Sequence, residues 1–344
     1  MKRHLALTHA AESPITISRS IAVKLLALVA FLLCQPAAVD PHAATQVQAP
    51  QAAGSYQPPP PDSLRVVLLG SGIGPPVRLN QFGMSTLVEA GGTRLLVDCG
   101  RGATIRLAQL GVPIASVNRL FLTHLHSDHI VQIPDLMLSG WATGRTLPLE
   151  VWGPTGTREM MDALQRGYAF DIHMRRDVDE KIPSEGIRVV SQDIEEGTVF
   201  DSDGLKVTAF LVDHGPVSPA LGYRIEYRGH SVALSGDTRV SENLVRHATG
   251  VDVLVHEVLD AVAARAASTN AARTETIIAH HTTPDQAGQI FSRVKPRLAV
   301  YSHAPATVSV IEQTRKTYSG PLQGAEDLLT IDIGDQVVVR HFGQ

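Results

Sequence analysis

The feature that most constrains this chain is a seven-residue segment, residues 123–129, with the sequence Thr-His-Leu-His-Ser-Asp-His. Three histidines and one aspartate fall within six positions: His124, His126, Asp128 and His129. They follow the apolar residues 120–122, which are typical of the end of a buried strand. Because a strand fixes the loop that follows it, and because imidazoles and carboxylates bind zinc, the segment predicts a metal site. The alternative is a solvated loop that is rich in histidine by chance.

Three more potential metal ligands follow predicted strands later in the chain. They are His214 after residues 207–212, Asp237 after residues 231–234 and His303 after residues 298–301. Asp98 also ends a predicted hairpin, but its position just before Gly100 favours a role in bracing the loop. Each half of the chain thus contains a hairpin that ends in aspartate. This organisation predicts two β-sheets packed face to face, with helices outside and ligands delivered to one shared edge.

The pattern His-x-His-x-Asp-His of residues 124–129 resembles the signature of the metallo-β-lactamase superfamily of dinuclear metal hydrolases. The resemblance implies an α/β fold, an αββα sandwich of two mixed β-sheets flanked by helices. It also implies two zinc ions (Zn²⁺) per chain, which would activate a water molecule at neutral pH. Asp237 would bridge the ions, and Asp128 would also accept a proton from the attacking water. The remaining ligands implied are His124, His126 and His214 for one ion, and Asp128, His129 and His303 for the other.

Two short motifs indicate which branch of the superfamily the chain resembles. Residues 256–257, His-Glu, and residues 281–283, His-Thr-Thr, resemble the His-Glu and His-Ser/Thr motifs of the ribonuclease Z branch. The resemblance implies that His281 protonates the leaving oxygen and that Glu257 orients it. Such an acid assists the departure of a poor leaving group, so the pair indicates ester cleavage. The neighbouring His280 is less well spaced from the threonines, and two surface histidines at a helix start remain the non-functional alternative.

The net charge of the chain indicates which classes of substrate it is suited to bind. The formal net charge is −4, and without residues 1–44 the chain would carry 26 basic and 32 acidic residues, an unfavourable balance for broad binding of nucleic acid. Ribonuclease Z enzymes have a basic arm that clamps transfer RNA, whereas residues 168–212 are acidic on balance. Residues 210–217, together with Gly-Tyr-Arg at 222–224, resemble the exported arylsulfatase-type members of the branch.

These features together lead us to expect an exported dinuclear zinc hydrolase that cleaves small anionic sulfate or phosphate esters. The alternative is a ribonuclease Z-like phosphodiesterase or endoribonuclease of the transfer RNA 3′-processing type, which would bind nucleic acid. A zinc-binding protein without turnover is the second alternative, although a full ligand set beside a general acid argues against it. The natural substrate, the metal loaded in the cell and the choice between monomer and homodimer stay open.

The N-terminal region has the organisation of an export signal. Basic residues precede ten apolar residues, 25–34, a run too short to span a bilayer, and small residues follow. We therefore predict a signal peptide over residues 1–44, a Pro/Ala-rich linker over 45–62 and a hydrolase domain over 63–344. The expected location is periplasmic or secreted, without stable membrane insertion after signal removal. Cys34 raises the alternative of a lipid anchor. Removal of residues 1–44 would take Cys34 away and leave Cys99 without a disulfide partner.

Local patterns predict four further elements. Glycine-rich residues 70–76 lack the Gly-Lys-Ser/Thr ending of a phosphate loop, so we expect a tight loop near the site. Residues 103–110 predict a helix, and residues 117–122 a strand. Thr283-Pro284-Asp285-Gln286 predicts a capped helix start, with residues 287, 290, 291 and 294 on its buried face.

Overall fold

Strand β1, Leu64–Gly70, shows how the sequence builds a layered structure. Leu64 and Leu68 belong to one hydrophobic cluster, while Val67 and Leu69 belong to another on the opposite face. Because successive side chains of a strand point to opposite faces, a strand that is apolar throughout is covered on both sides. The computed structural model, which describes residues 56–304 and 308–343, places β1 inside the larger of two sheets.

Both sheets combine antiparallel and parallel strands. In spatial order the first sheet contains β15 (Val337–Arg340), β14 (Leu329–Ile333), β1, β2 (Ser85–Ala90), β3 (Thr93–Val97), β4 (Arg119–Phe121), β5 (Leu149–Gly153) and β6 (Val189–Asp193). The second contains β13 (Leu322–Gln323), β12 (Leu298–Ser302), β11 (Val253–Glu257), β10 (His230–Leu234), β9 (Val217–Tyr227), β8 (Leu205–His214) and β7 (Gly197–Ser202). Pairing is parallel from β3 to β6 and from β10 to β13.

The helices lie between strands in the chain and cover the outer faces of the sheets. Those after the first hairpin are α1 (Ala103–Leu110), α2 (Ser127–Ile130), α3 (Ile133–Ala142), α4 (Thr157–Gly167) and α5 (Ala169–His173), followed by a π-helical turn, Met174–Val178. Those of the second half are α6 (Glu242–Ala248), α7 (Ala261–Ala266), α8 (Ala271–Ile278), α9 (Pro284–Val294) and α10 (Val308–Thr314). Short 3₁₀ turns occur at Ile114–Ser116 and Ser184–Ile187.

Three hydrophobic clusters define the layers. One contains residues of both sheets, for example Phe121 and Tyr223, whose rings meet at 5.6 Å between centroids. A second joins the first sheet to α1, α3 and α4, and a third joins the second sheet to α6, α9 and α10. The order helix, sheet, sheet, helix confirms the predicted αββα sandwich of two mixed sheets.

Several local predictions are confirmed. The hairpin β2–β3 and helix α1 occupy the predicted positions, and the N–H of Thr283 donates to the Gln286 side chain at the start of α9. The strand predicted over 117–122 is shorter, because β4 ends at Phe121. After Phe121 the N–H of Leu122 still donates to the carbonyl of Trp152 in β5, and the N–H of Thr123 then donates to the Asp98 carboxylate.

The end of the predicted linker contacts the hydrolase domain. The Tyr56 hydroxyl donates to Glu89, and the Tyr227 hydroxyl donates to the carbonyl of Pro61 at 3.0 Å. The predicted signal peptide, the first part of the linker and Cys34 lie outside the described residues. Among residues 56–304 and 308–343, no helix has both the length and the apolar character that crossing a membrane requires.

Candidate metal centre

The predicted ligands converge because their strands end at one edge of the sandwich. The parallel register of β10, β11 and β12 places Leu234 beside Val255 and Glu257 beside Ser302. Asp237 lies three residues after the end of β10, His303 directly follows β12, and His214 is the last residue of β8. The histidine-rich loop after β4 comes from the first sheet. Each sheet therefore contributes ligands to the same site, as the sequence predicts.

All seven predicted ligands lie in one cluster. Potential ligand atoms fall within 4.8 Å of one another in three overlapping groups: His124, His126 and His214; His124, His129 and Asp237; Asp128, His129 and His303. Asp237 is central, since its carboxylate oxygens lie 3.4 Å from His129 Nε2 and 3.5 Å from His303 Nε2. The same carboxylate lies 3.9 Å from Nε2 of His124 and 4.0 Å from Nε2 of His214. This arrangement suits a carboxylate that bridges two ions.

The hydrogen bonding of the cluster fits bound metal. His124 Nε2, His129 Nε2 and Asp237 Oδ1 are buried, and none of them has a hydrogen-bond partner among the described residues. Buried polar atoms in proteins are nearly always paired, so three unpaired atoms that lie together are suited to hold a ligand. Imidazole nitrogens and a carboxylate oxygen are suitable ligands for zinc. The donor set is therefore compatible with metal ions at this position.

Partners behind the cluster hold the ligand rings in place. Asp98 accepts hydrogen bonds from the N–H and the hydroxyl of Thr123, both at 2.8 Å, and lies 2.8 Å from His129 Nδ1. The Thr123 hydroxyl is also 3.0 Å from His124 Nδ1, and His214 Nδ1 is 3.1 Å from the carbonyl of His280. Contacts of this kind fix the ring orientation and the tautomer of ligating histidines. Asp98 thus has the bracing position that the sequence suggests.

The electrostatics of the site favour a cation. Burial disfavours a protonated His129, yet the negative charges of Asp237 and Asp98 raise its pKa well above the ordinary value. Burial also disfavours a charged Asp237, but the neighbouring His303 and His129 lower its pKa well below the usual range. The same negative charges that stabilise a proton on His129 would stabilise a metal ion between these residues.

The predicted acid and its partner lie beside the cluster. Glu257, the last residue of β11, is 1% exposed, and its Oε2 lies 3.3 Å from Nδ1 of His281. The His281 ring stacks on His303 with 5.4 Å between centroids. Burial opposes protonation of His281, but the Glu257 carboxylate outweighs it and raises the pKa of His281 to about 9. His281, and not its neighbour His280, therefore makes the contact with Glu257.

A cavity of about 330 Å³ opens beside Asp128. Its walls include the apolar residues Val77, Leu79 and Ile105 and the arginines Arg78 and Arg101. The predicted loop at residues 70–76 does lie beside the site, but it is longer than a tight turn, since residues 72–83 form much of this wall. Neither arginine was predicted from the sequence, since isolated arginines in loops carry no recognisable pattern.

Comparisons with known proteins agree with this geometry. The family model described as "Beta-lactamase superfamily domain" matches residues 93–304. A ribonuclease Z of Mycobacterium avium is 35% identical over 283 residues, which cover 78% of this chain and 98% of the relative. A ribonuclease Z of Mycobacterium marinum is 39% identical over 203 residues, 57% of this chain and 71% of the relative.

Solved structures show the same fold. The short form of human tRNase Z has a TM-score of 0.57 at 24% identity and covers 78% of this chain and 98% of its own. The metallo-β-lactamase fold protein YhfI from Bacillus subtilis has a TM-score of 0.61 at 19% identity and covers 79% of this chain and 100% of its own. The fold and the site thus define a metal-dependent hydrolase. The chain belongs to the metallo-β-lactamase superfamily, in its ribonuclease Z-like branch.

The comparisons favour the ribonuclease Z expectation over the sulfatase expectation. Both relatives described above are ribonuclease Z proteins, which supports the ribonuclease Z alternative and gives no support to the sulfatase expectation. The sulfatase expectation relied on the net charge of the chain and of residues 168–212, on the predicted export, and on the resemblance of residues 210–217 and 222–224 to arylsulfatase-type members. Net charge describes a whole surface, whereas Arg78 and Arg101 line the cavity beside Asp128. In residues 168–212, moreover, acidic side chains pair with Arg175 and Arg176.

Proposed function

We propose that the protein is a phosphodiesterase of the ribonuclease Z type that hydrolyses phosphodiester bonds in RNA with two zinc ions. The single observation that carries the proposal is the His281–Glu257 pair, at 3.3 Å, beside the seven-ligand cluster. A general acid next to a metal centre is needed when the leaving group is a poor one, such as a ribose oxygen. Relatives named ribonuclease Z, matched over 98% of their length, support the same class.

The proposed assignment of ligands follows the groups of atoms described above. One ion would be held by His124, His126 and His214, the other by Asp128, His129 and His303, with Asp237 between them. The support is the clustering of these ligand atoms, together with the unpaired, buried Nε2 atoms of His124 and His129 and Oδ1 of Asp237. When bound, a pair of zinc ions supplies a water molecule activated near neutral pH and neutralises charge on the phosphate.

Asp128 is proposed to act on the attacking water. Burial alone would raise the pKa of Asp128, but the hydrogen bond from His303 and the charge of His129 lower it. Asp128 therefore stays a carboxylate at neutral pH and is able to accept a proton or a hydrogen bond from the water. Its position in the wall of the cavity gives it access to a molecule that enters there.

His281 is proposed to protonate the leaving oxygen. Its Nδ1 atom faces Glu257, so the proton for the leaving group comes from Nε2. Glu257 is itself fixed, because its Oε1 accepts the N–H of Thr282 at 2.8 Å. Glu257 thus keeps His281 protonated and oriented until the ester bond breaks.

RNA is the proposed substrate class in preference to a small sulfate ester. Arg78 and Arg101 are exposed and line the cavity beside Asp128, where they are placed to pair with phosphates that flank the scissile bond.

We also propose that the hydrolase domain is exported after removal of residues 1–44. Fractionation of cells and N-terminal sequencing of the mature chain test this part, and a chain that starts at Met1 in the cytoplasm would contradict it.

The substrate proposal is tested by side-by-side rates for the zinc-loaded protein. We expect cleavage of precursor transfer RNA and of bis(4-nitrophenyl) phosphate, and little cleavage of 4-nitrophenyl sulfate. Asp237→Ala serves as the control, because loss of the central carboxylate should abolish turnover of every substrate. Faster cleavage of the sulfate than of both phosphodiesters would overturn the proposal. Zinc-loaded protein that turns over none of the three would favour a binding role.

A further inference from the structure

The loop between Ser71 and Phe82 is closed at its base by one carboxylate, that of Asp327. Asp327 Oδ1 accepts the N–H of Ser71 at 2.9 Å and its hydroxyl at 3.0 Å. Asp327 Oδ2 accepts the N–H of Phe82 at 2.7 Å. A direct bond from the N–H of Gly72 to the carbonyl of Phe82, at 2.8 Å, completes the closure. Both ends of the loop are therefore tied to a residue about 250 positions further along the chain.

Asp327 is itself held rigidly. Its side chain is 6% exposed and accepts a hydrogen bond from Arg106 Nη2 at 2.7 Å. The Arg106 guanidinium also lies over the Phe82 ring, 4.1 Å from the centroid. Charge-assisted bonds of this kind are shorter and stronger than neutral ones. The position of the loop base is consequently fixed against helix α1, on which Arg106 lies.

The loop contacts the metal centre at two points. Gly74 packs so closely on Asp128 that an added Cβ atom would lie 2.0 Å from Asp128 Cβ. At the base of the loop, the carbonyl of Ser71 accepts the N–H of Ala304 at 2.9 Å, and Gln81 Nε2 donates to the carbonyl of Ala304 at 2.6 Å. Ala304 directly follows His303 in the chain.

Between these points the loop forms a wall of the cavity beside Asp128. Val77 is 69% exposed and Leu79 is 89% exposed, and Arg78 lies between them in the chain. Exposed apolar side chains beside an arginine provide contacts for a substrate, but none of them buries area that would keep the loop in place. The loop is thus held at its base, and the base is held by Asp327.

We propose that Asp327 is a positioning residue for substrate binding, which keeps the 71–82 loop in place against Asp128 as one wall of the substrate cavity. Asp327 is not among the candidate metal ligands, so its effect is on substrate binding and not on the metal ions. This inference rests on the proposed function, because it concerns the binding of a phosphodiester at the same site.

The test compares Asp327→Asn with a matched control, Asp332→Asn. Asp332 is a similarly buried aspartate with a 10% exposed side chain, but it pairs with Arg65, at the end of β1 opposite the loop, and with Arg340 on β15. With bis(4-nitrophenyl) phosphate, we expect Asp327→Asn to raise KM by roughly tenfold with kcat changed less than about twofold. Zinc content should be unchanged. Asp332→Asn should lower the melting temperature but leave KM unchanged.

Trypsin cleavage after Arg78 gives a readout that does not depend on activity. We expect Asp327→Asn to accelerate this cleavage by about tenfold and Asp332→Asn to leave it unchanged. Unchanged KM and cleavage in Asp327→Asn, equal changes in both variants, or loss of zinc with a fall in kcat would each overturn the inference. Absence of phosphodiesterase activity in the unaltered protein would reject the proposed function, while the trypsin comparison would still decide whether Asp327 holds the loop.

Discussion

His281 Nδ1 and Glu257 Oε2 lie 3.3 Å apart at the edge of the seven-ligand cluster. Glu257 is 1% exposed and is further fixed by the N–H groups of Thr282 and Thr238, at 2.8 and 3.3 Å. A buried carboxylate that is held by three donors keeps its position. His281 therefore has one nitrogen committed to Glu257 and the other free to donate a proton, which is the arrangement that a general acid needs.

Removal of the acid should affect poor leaving groups most. We expect His281→Ala to slow cleavage of a ribose or alkyl phosphodiester by about 10²–10⁴-fold, and that of a nitrophenyl ester by much less, since nitrophenolate leaves without a proton. Steady-state kcat on the two kinds of ester measures the difference. His280→Ala is the matched control, because the hydrogen bond to His214 Nδ1 is made by the backbone carbonyl of His280, which the substitution keeps. Equal losses on both esters in His281→Ala would reject the acid role.

The charge of Glu257 should be visible in the titration of His281. In metal-free protein we expect a His281 pKa of about 9, since the Glu257 carboxylate outweighs burial. This raised value stabilises the folded state fully below the unfolded pKa of about 6.5, and the stabilisation is lost as the pH rises through about 9. NMR titration of the histidine ring protons checks it. In Glu257→Gln the pKa should fall, and an unchanged value would show that Glu257 is not the cause.

Bracing by Asp98 should contribute to metal affinity. Asp98→Asn keeps one acceptor oxygen but loses the charge that faces His129 Nδ1, so the ring is less well oriented. We expect zinc affinity to fall about 10–100-fold, measured by competition with a chromophoric chelator. Asp193→Asn, at an exposed position that accepts the N–H of Arg158, should leave the affinity unchanged. The same affinity in Asp98→Asn as in the unaltered protein would remove Asp98 from the support of the site.

A buried arginine outside the site should matter for stability alone. Arg145 is 3% exposed and donates to the carbonyls of Leu136, Met137 and Gly186, and burial lowers its pKa to about 10. Arg145→Met would remove these charge-assisted hydrogen bonds to three carbonyls, at a cost of about 3 kcal/mol in the free energy of unfolding. Urea denaturation measures it, with the exposed Arg176→Met expected to change stability by less than about 0.5 kcal/mol. A cost equal to that of Arg176→Met would contradict this account.

The convergence of the candidate ligands was predictable because polar residues that follow apolar strands are visible along the sequence. His214, Asp237 and His303 each follow such a strand, and parallel or sandwiched strands bring their ends to one edge. Helix α9 was predictable for a similar reason, since its capping residues and its apolar period are local. Patterns of this kind require no knowledge of which strands pair.

Contacts between distant segments were not predictable in this way. Ser71 and Asp327 are 256 positions apart, and neither residue carries a signal that points to the other. Arginine is usually a surface residue, and Arg145 is buried only because helix α3 and the 3₁₀ turn Ser184–Ile187 enclose it. The sulfatase expectation was ranked above ribonuclease Z for a related reason. The net charge of a sequence does not show which charged side chains line the cavity.

The central claim is that two metal ions at the seven-ligand cluster cleave a phosphodiester. The most direct measurement is the rate of bis(4-nitrophenyl) phosphate hydrolysis while zinc is titrated into metal-free protein. We expect activity to rise until two equivalents of zinc per chain are bound and then to stay constant. Full activity at one equivalent, or none at two, would contradict the account.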